Sequence, residues 1–268
     1  MRHVKWGIVM CAALVLVAGP AAAGGPPSGP LTKCPADAVV SGTVCMDKYE
    51  ASVWRVPNPT GANKGLVKKI QAGTATAGAL TAGGAAELGV VGADYAPCTD
   101  RAQTGCEDIY AVSLPGVVPS AYITWFQAQQ ACKNAGKRLP TNAEWQTAVA
   151  GTPDPGPDNG MTDCNTDSAH AAVTTGSRSS CVSADGAFDM VGNLGEWVAD
   201  WVPSSGCGGV WSGSDDYQCL AGAAGTHEPG ALWRGGQFKY GTRAGPLTVF
   251  GNVQPSSQSY AGGFRCAR

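Results

Sequence analysis

Charge is scarce in this sequence. Asp, Glu, Lys and Arg together make 14% of 268 residues, and the signs nearly cancel, with Lys+Arg 18 against Asp+Glu 20. Without a basic surplus there is no footprint for a nucleic-acid backbone, so that class of partner is set aside. At 44% hydrophobic residues the chain is too apolar for a charge-driven disordered segment. Histidine is rarer still: His3, His170 and His227 are all there is. None lies in a nucleophile motif, so a Ser–His–Asp system around Ser183 and Asp185 fails on inventory. No C-x-x-C pair exists, which removes the usual zinc cages, and GAAGT at 222–226 lacks the lysine of a phosphate loop. No period of roughly 20–50 residues repeats, which argues against solenoids and propellers. The one long apolar run, Trp6 to Ala18, is too short to span ~30 Å of hydrocarbon, so no transmembrane anchor is expected.

What is present begins with an export signal. Arg2, His3 and Lys5 precede that apolar run, and Ala21-Ala22-Ala23 supply the small residues a signal peptidase needs. Residues 1–23 are therefore expected to be removed, 24–33 (GGPPSGPLTK) to form a linker, and the protein to be periplasmic or secreted. Gly 38 and Pro 18 point to many turns and long irregular segments. Eleven cysteines less the signal's Cys11 leave an even count, which in an oxidising compartment implies disulfides. Spacing suggests, without fixing, the pairs Cys34–Cys45, Cys98–Cys106, Cys164–Cys181 and Cys207–Cys219, each stapling one loop. Cys132 and Cys266 then remain, and would tie a helix to the C-terminal strand.

Local signals are strongest over 124–151. Thr124 with Gln127 fits a capping box, and Trp125, Ala128, Cys132 and Ala135 share one helical face before the stop at Gly136. Thr141 with Glu144 opens a second, shorter helix that Gly151 ends. A strand is expected around Thr43–Glu50, and the Ala/Gly/Thr-rich stretch 72–92 reads as a partly ordered excursion with one short helix after Leu66. Beyond Gly151 turns alternate with short apolar pieces, so the reading is an irregular, strand-poor α+β domain.

Several stretches occur in an order known from one family. They are CMDKYEAS (45–52), YITWFQAQQACKNAGKRLPTNAEWQTAVAG (122–151), GAFDMVGNLGEWVADW (186–201), WRGG (233–236) and GGFRCAR (262–268). On these the chain resembles the formylglycine-generating enzyme (sulfatase-modifying factor) family. The resemblance covers most of 34–268 as one domain and leaves about 55–110 as an Ala/Gly-rich insertion. It implies a C-type-lectin-like α+β fold with little regular secondary structure, and it supports the Cys132–Cys266 bridge. The aerobic members hold copper(I) on two cysteines between RGG and GFR, in keeping with the preference of Cu(I) for sulfur. Here the corresponding stretch, 237–262, contains no cysteine, Gln237 stands where a serine is usual, and Gly195 where a tryptophan is usual. No copper is expected.

The resemblance also implies a structural calcium on the turn Asp189–Glu196, held by Asp189, the carbonyls of Gly192 and Leu194, and Glu196, since calcium takes oxygens from carboxylates and carbonyls. Asn165, Asp167 and Asp185 are weak candidates for the family's other calcium site. Trp197 and Trp201 read as core aromatics beneath that turn, and Arg234 and Arg265 as braces to buried carboxylates. Gln237, Tyr240 and Arg243 replace the copper site and are the candidate ligand contacts. Two histidines cannot furnish the iron-binding domain of the sulfoxide-forming branch, whereas the exported branch in siderophore maturation also lacks the cysteine pair. The leading expectation is thus a monomeric, non-catalytic binding module for an unknown peptide, glycan or envelope protein. The second is a cysteine-independent oxidase or maturation factor acting on an exported peptide-like substrate.

Overall fold

The computed structural model describes residues 31–99, 103–154, 156–203, 218–219 and 229–268. The expected signal peptide, most of the linker, Cys207 and His227 lie outside them. Two antiparallel strands, β1 (Ala38–Ser41) and β2 (Val44–Asp47), open the chain. A three-stranded sheet follows in the order β4-β3-β5, from β3 (Ala51–Arg55), β4 (Ala86–Leu88) and β5 (Ile109–Ser113). Two helices come next, α3 (Trp125–Asn134) and α4 (Asn142–Ala148). The C-terminal half supplies a five-stranded mixed sheet, β10-β6-β8-β9-β7, from β6 (Gly195–Val202), β7 (Gln218–Cys219), β8 (Gly230–Arg234), β9 (Val249–Val253) and β10 (Gly262–Phe264). The class is α+β with little regular structure.

Both capping boxes form. The Thr124 hydroxyl accepts from the Gln127 N–H while the Gln127 side chain accepts from the Thr124 N–H, and Thr141 with Glu144 does the same. Gly136 (φ +70°) and Gly151 (φ +80°) take the left-handed conformation that ends each helix. On α3 the inward face, Ala128, Ala131 and Cys132, is fully buried against β3, β5 and Trp197. The strand expected around 43–50 is the shorter β2. The later chain is richer in strands than expected, because β8 and the first half of β6 are buried on both faces and lack the polar alternation that marks a half-exposed strand.

The stretch expected as a partly ordered excursion is ordered throughout 56–95. It carries two helices rather than one, α1 (Lys64–Gln71) and α2 (Ala77–Ala82). Leu66 and Ile70, one turn apart, pack with Leu80 against Trp54 and Tyr110 of the three-stranded sheet. The end of α1 is latched to the body: Arg268 donates to the Gln71 carbonyl, and the Gln71 side chain donates to the Asn134 carbonyl.

Four expected disulfides are present: Cys34–Cys45, Cys98–Cys106, Cys164–Cys181 and Cys132–Cys266, the last bridging α3 to the second residue after β10. Cys219 is also disulfide-bonded, and its expected partner Cys207 lies outside the described residues. Beside the Cys132–Cys266 staple, buried Lys137 donates to Asp37 at 2.7 Å and Asp47 at 2.6 Å, and Arg268 completes the cluster on Asp37. A buried ammonium needs such paired carboxylates to offset its desolvation.

Candidate functional site

The site grows from the turn after β8. Gly235 (φ +82°) and Gly236 (φ +80°) both lie in the left-handed region. A Cβ on Gly235 would meet the Met190 carbonyl oxygen at 2.6 Å, and one on Gly236 would meet Ala244 at 2.7 Å. Only glycine satisfies both demands. The turn delivers Gln237 and Tyr240 beside Gly195, Trp233, Thr248 and Phe250, around a cavity of about 10 Å³. That is room for one water at most. Two buried polar atoms beside it, the indole N–H of Trp233 and Oε1 of Gln237, have no hydrogen-bond partner among the described residues. Gly195 leaves space for Trp233, since a Cβ there would approach its ring at 3.2 Å.

Beneath this face lies a buried charge network. Arg265, with no exposed surface, donates from Nε and Nη2 to Glu196 at 2.6–3.0 Å, and to the carbonyls of Asp47 and Phe188. Glu196 also accepts from the Trp145 indole at 2.7 Å, and the Arg234 guanidinium stacks 4.6 Å from a Trp145 ring. Glu50 accepts from the Asn193 side chain and the Leu194 N–H, which fixes the turn entering β6. Three buried carboxyl groups, Glu50, Asp189 and Glu196, thus share the Arg265 guanidinium, with Arg178 acting on Asp189 as well. Burial, followed by the charges of Asp189 and Glu196, pushes the Glu50 carboxyl well above the usual carboxylate range. Burial lifts Asp189 to about 6, against the opposing pull of the Gly176 N–H it accepts.

A carboxyl whose pKa rises on folding contributes stability that is complete below its unfolded value and is lost as pH climbs through its folded value. For Asp189 that window runs from 3.8 to about 6. Asp189→Asn is therefore expected to match wild type near the lower limit and to be more stable above the upper one, by on the order of 2 kcal/mol. Urea unfolding across the window measures it; a constant difference between the two proteins would contradict the assignment.

The turn proposed from resemblance as a calcium site is folded as a ligand set would require only in part. Asp189, Gly192 and Asn193 have positive φ, but both oxygens of Glu196 are engaged by Arg265 or Trp145. Among the described residues no group of three or more His, Cys, Asp or Glu side chains is placed to hold a metal. Glu196 is thus committed to Arg265 and Trp145, and nothing below uses calcium. Asn165 instead donates to Asn193 and to the Ala171 carbonyl, while Asp167 and Asp185 are exposed.

Of the three expected contacts, Gln237 and Tyr240 converge on the cavity, and Arg243 lies outside it, exposed, 5.4 Å over the Tyr240 ring. Trp197 is in the core as expected. Trp201 is not: it is 41% exposed against Trp125 and Phe126, because a register irregularity between Trp197 and Trp201 turns the far end of β6 outward. Arg265 braces a buried carboxylate as expected. Glu50 and Asn193 were missed as members of the site. Their pairing spans 143 residues, and no local spacing marks it.

Residues 43–268 match the sulfatase-modifying factor enzyme 1-like domain family. The serine/threonine-protein kinase pkn1 of Chlamydia caviae is 35% identical over 85 residues, which are 31% of this chain and 14% of the kinase. Among solved structures, the Major Tropism Determinant M1 variant aligns with 87% of this chain and 52% of its own at 18% identity and a TM-score of 0.46. PvdO from Pseudomonas aeruginosa aligns with 86% of this chain and 82% of its own at 17% identity and a TM-score of 0.39.

Proposed function

The chain belongs to the sulfatase-modifying factor enzyme 1-like domain family, and from that premise we propose that it is an exported maturation factor working without a copper–thiolate centre. Its substrate is peptide-like and lies across the face formed by Gln237 and Tyr240. One observation carries the reading: the stretch between RGG and GFR holds no cysteine, and every cysteine among the described residues is disulfide-bonded. Membership of an enzyme family supports the maturation reading over the pure binding module, reversing their order from sequence. The disulfides favour an oxidising compartment, in line with a signal peptide at 1–23. We take 34–268 as one domain, with a C-type-lectin-like scaffold whose helix α3 is stapled to its last strand.

The binding-module reading keeps one observation in its favour, the small cavity of about 10 Å³, which admits no substrate side chain. Comparative mass spectrometry of exported peptides separates the two. Cells lacking the protein are expected to accumulate a peptide precursor of fixed mass difference, restored by the wild-type chain and not by Gln237→Trp, which would close the face. An unaltered exported peptide pool would overturn the maturation reading.

A further inference from the structure

From Pro229 to Arg268 the sequence carries Arg234, Lys239, Arg243, Arg265 and Arg268 and no Asp or Glu, although the whole chain has a net charge of −2. Three of these cations are tied into the body. Arg265 pairs with Glu196, Arg268 with Asp37, and Arg234 with the Gln146 side chain and the Pro246 carbonyl. Lys239 and Arg243 are exposed, and neither forms an ion pair with a described carboxylate. Each is laid on an aromatic ring instead. The Lys239 ammonium lies 4.8 Å from the Tyr260 ring centre and 3.1 Å from its hydroxyl, and the Arg243 guanidinium lies over Tyr240. Tyr240 itself lines the cavity, so Arg243 stands at its rim, while Lys239, the residue before Tyr240, lies over Tyr260. Tyr260, at 48% exposed, adds an aromatic surface beside Lys239. Asp167 adjoins Thr166, whose carbonyl accepts the Gly241 N–H, yet Asp167 faces His170 at 3.9 Å rather than either cation.

We infer that the surface carrying these two ring-backed cations recognises an acidic peptide segment, its carboxylates meeting Lys239 and Arg243 and an adjoining apolar or aromatic side chain lying against Tyr260. The inference rests on the reading of this face as the substrate site and names the substrate's charge. A ring beneath a cation restricts its motion without neutralising it, leaving the charge available to a carboxylate. Within 229–268 no Asp or Glu offsets these cations, which favours anionic encounter over neutral or cationic.

The test uses the mature full-length chain and labelled peptides of one length, Phe-Ala-rich, differing only in whether the polar positions are Glu, Gln or Lys. Fluorescence anisotropy in low salt is expected to rank them Glu, Gln, Lys, with Glu about tenfold tighter than Gln. The advantage should shrink severalfold near 0.3 M salt, where the screening length is roughly 5–6 Å. Lys239→Glu/Arg243→Glu should reverse the ranking, while Lys239→Arg/Arg243→Lys keeps it. Equal affinity for the Glu and Gln peptides, no binding of any of them, or an unchanged ranking in the reversal variant would overturn the inference. Thermal unfolding of both variants checks that the exposed substitutions leave the fold intact. If charge-ranked binding holds but exported peptides do not depend on the protein, the maturation reading fails and this inference stands; the opposite pattern removes the inference alone.

Discussion

Arg265→Met is expected to cost about 3–5 kcal/mol of folding stability, because it leaves Glu196 buried without its counter-charge. The methionine fills much of the space but donates to none of Glu196, Asp47 or Phe188, so two carbonyls are orphaned as well. Small domains are stable by roughly 5–15 kcal/mol in total, so this one change approaches the margin for folding at all. The double variant Arg265→Met/Glu196→Leu should recover part of the loss by removing both charges together. Urea midpoints of the three proteins check this. A loss below about 1 kcal/mol in the single variant would show that the Arg265–Glu196 pair does not hold the sheet beneath the site.

Removing the long disulfide should rank second. Cys132–Cys266 closes a separation of 134 residues, against 17 for Cys164–Cys181. Chain entropy gives about 4.7 kcal/mol for a loop near 100 residues and about 3 kcal/mol for one near 15. Cys132→Ala/Cys266→Ala is therefore expected to lower the thermal midpoint more than Cys164→Ala/Cys181→Ala, with a further loss from the buried α3 face. Equal shifts would indicate that the unfolded chain is already held together near residues 132 and 266 by other contacts.

What the sequence made legible was local. Thr124 with Gln127 and Thr141 with Glu144 lie three residues apart and carry their own hydrogen bonds, so both helix starts could be read directly. The short disulfides followed from spacing for the same reason. The five-stranded sheet was obscured because its strands contain Glu196 and Arg234, and charged residues in apolar runs read as surface until their partners are known. Those partners are remote: Glu196 finds Arg265 across 69 residues, and Lys137 finds Asp47 across 90. The engagement of Glu196 was hidden in the same way. Asp189 and Glu196 have the right spacing around a glycine turn, but an arginine from the chain's end occupies the carboxylate a metal would need. The Ala/Gly-rich insertion misled by composition, since just three large buried side chains, Leu66, Ile70 and Leu80, lead the packing of its helices.

A sulfatase-modifying-factor scaffold that acts without reactive sulfur is tested most directly by its thiols and its metal together. The purified mature protein, unfolded without reductant, should label with no alkylating reagent and retain no copper after Cu(I) loading and desalting. Under oxygen with added copper it should leave a Cys-x-Pro-x-Arg peptide unchanged in mass. A labelled, copper-retaining cysteine, or conversion of that peptide's cysteine to formylglycine, would contradict the account.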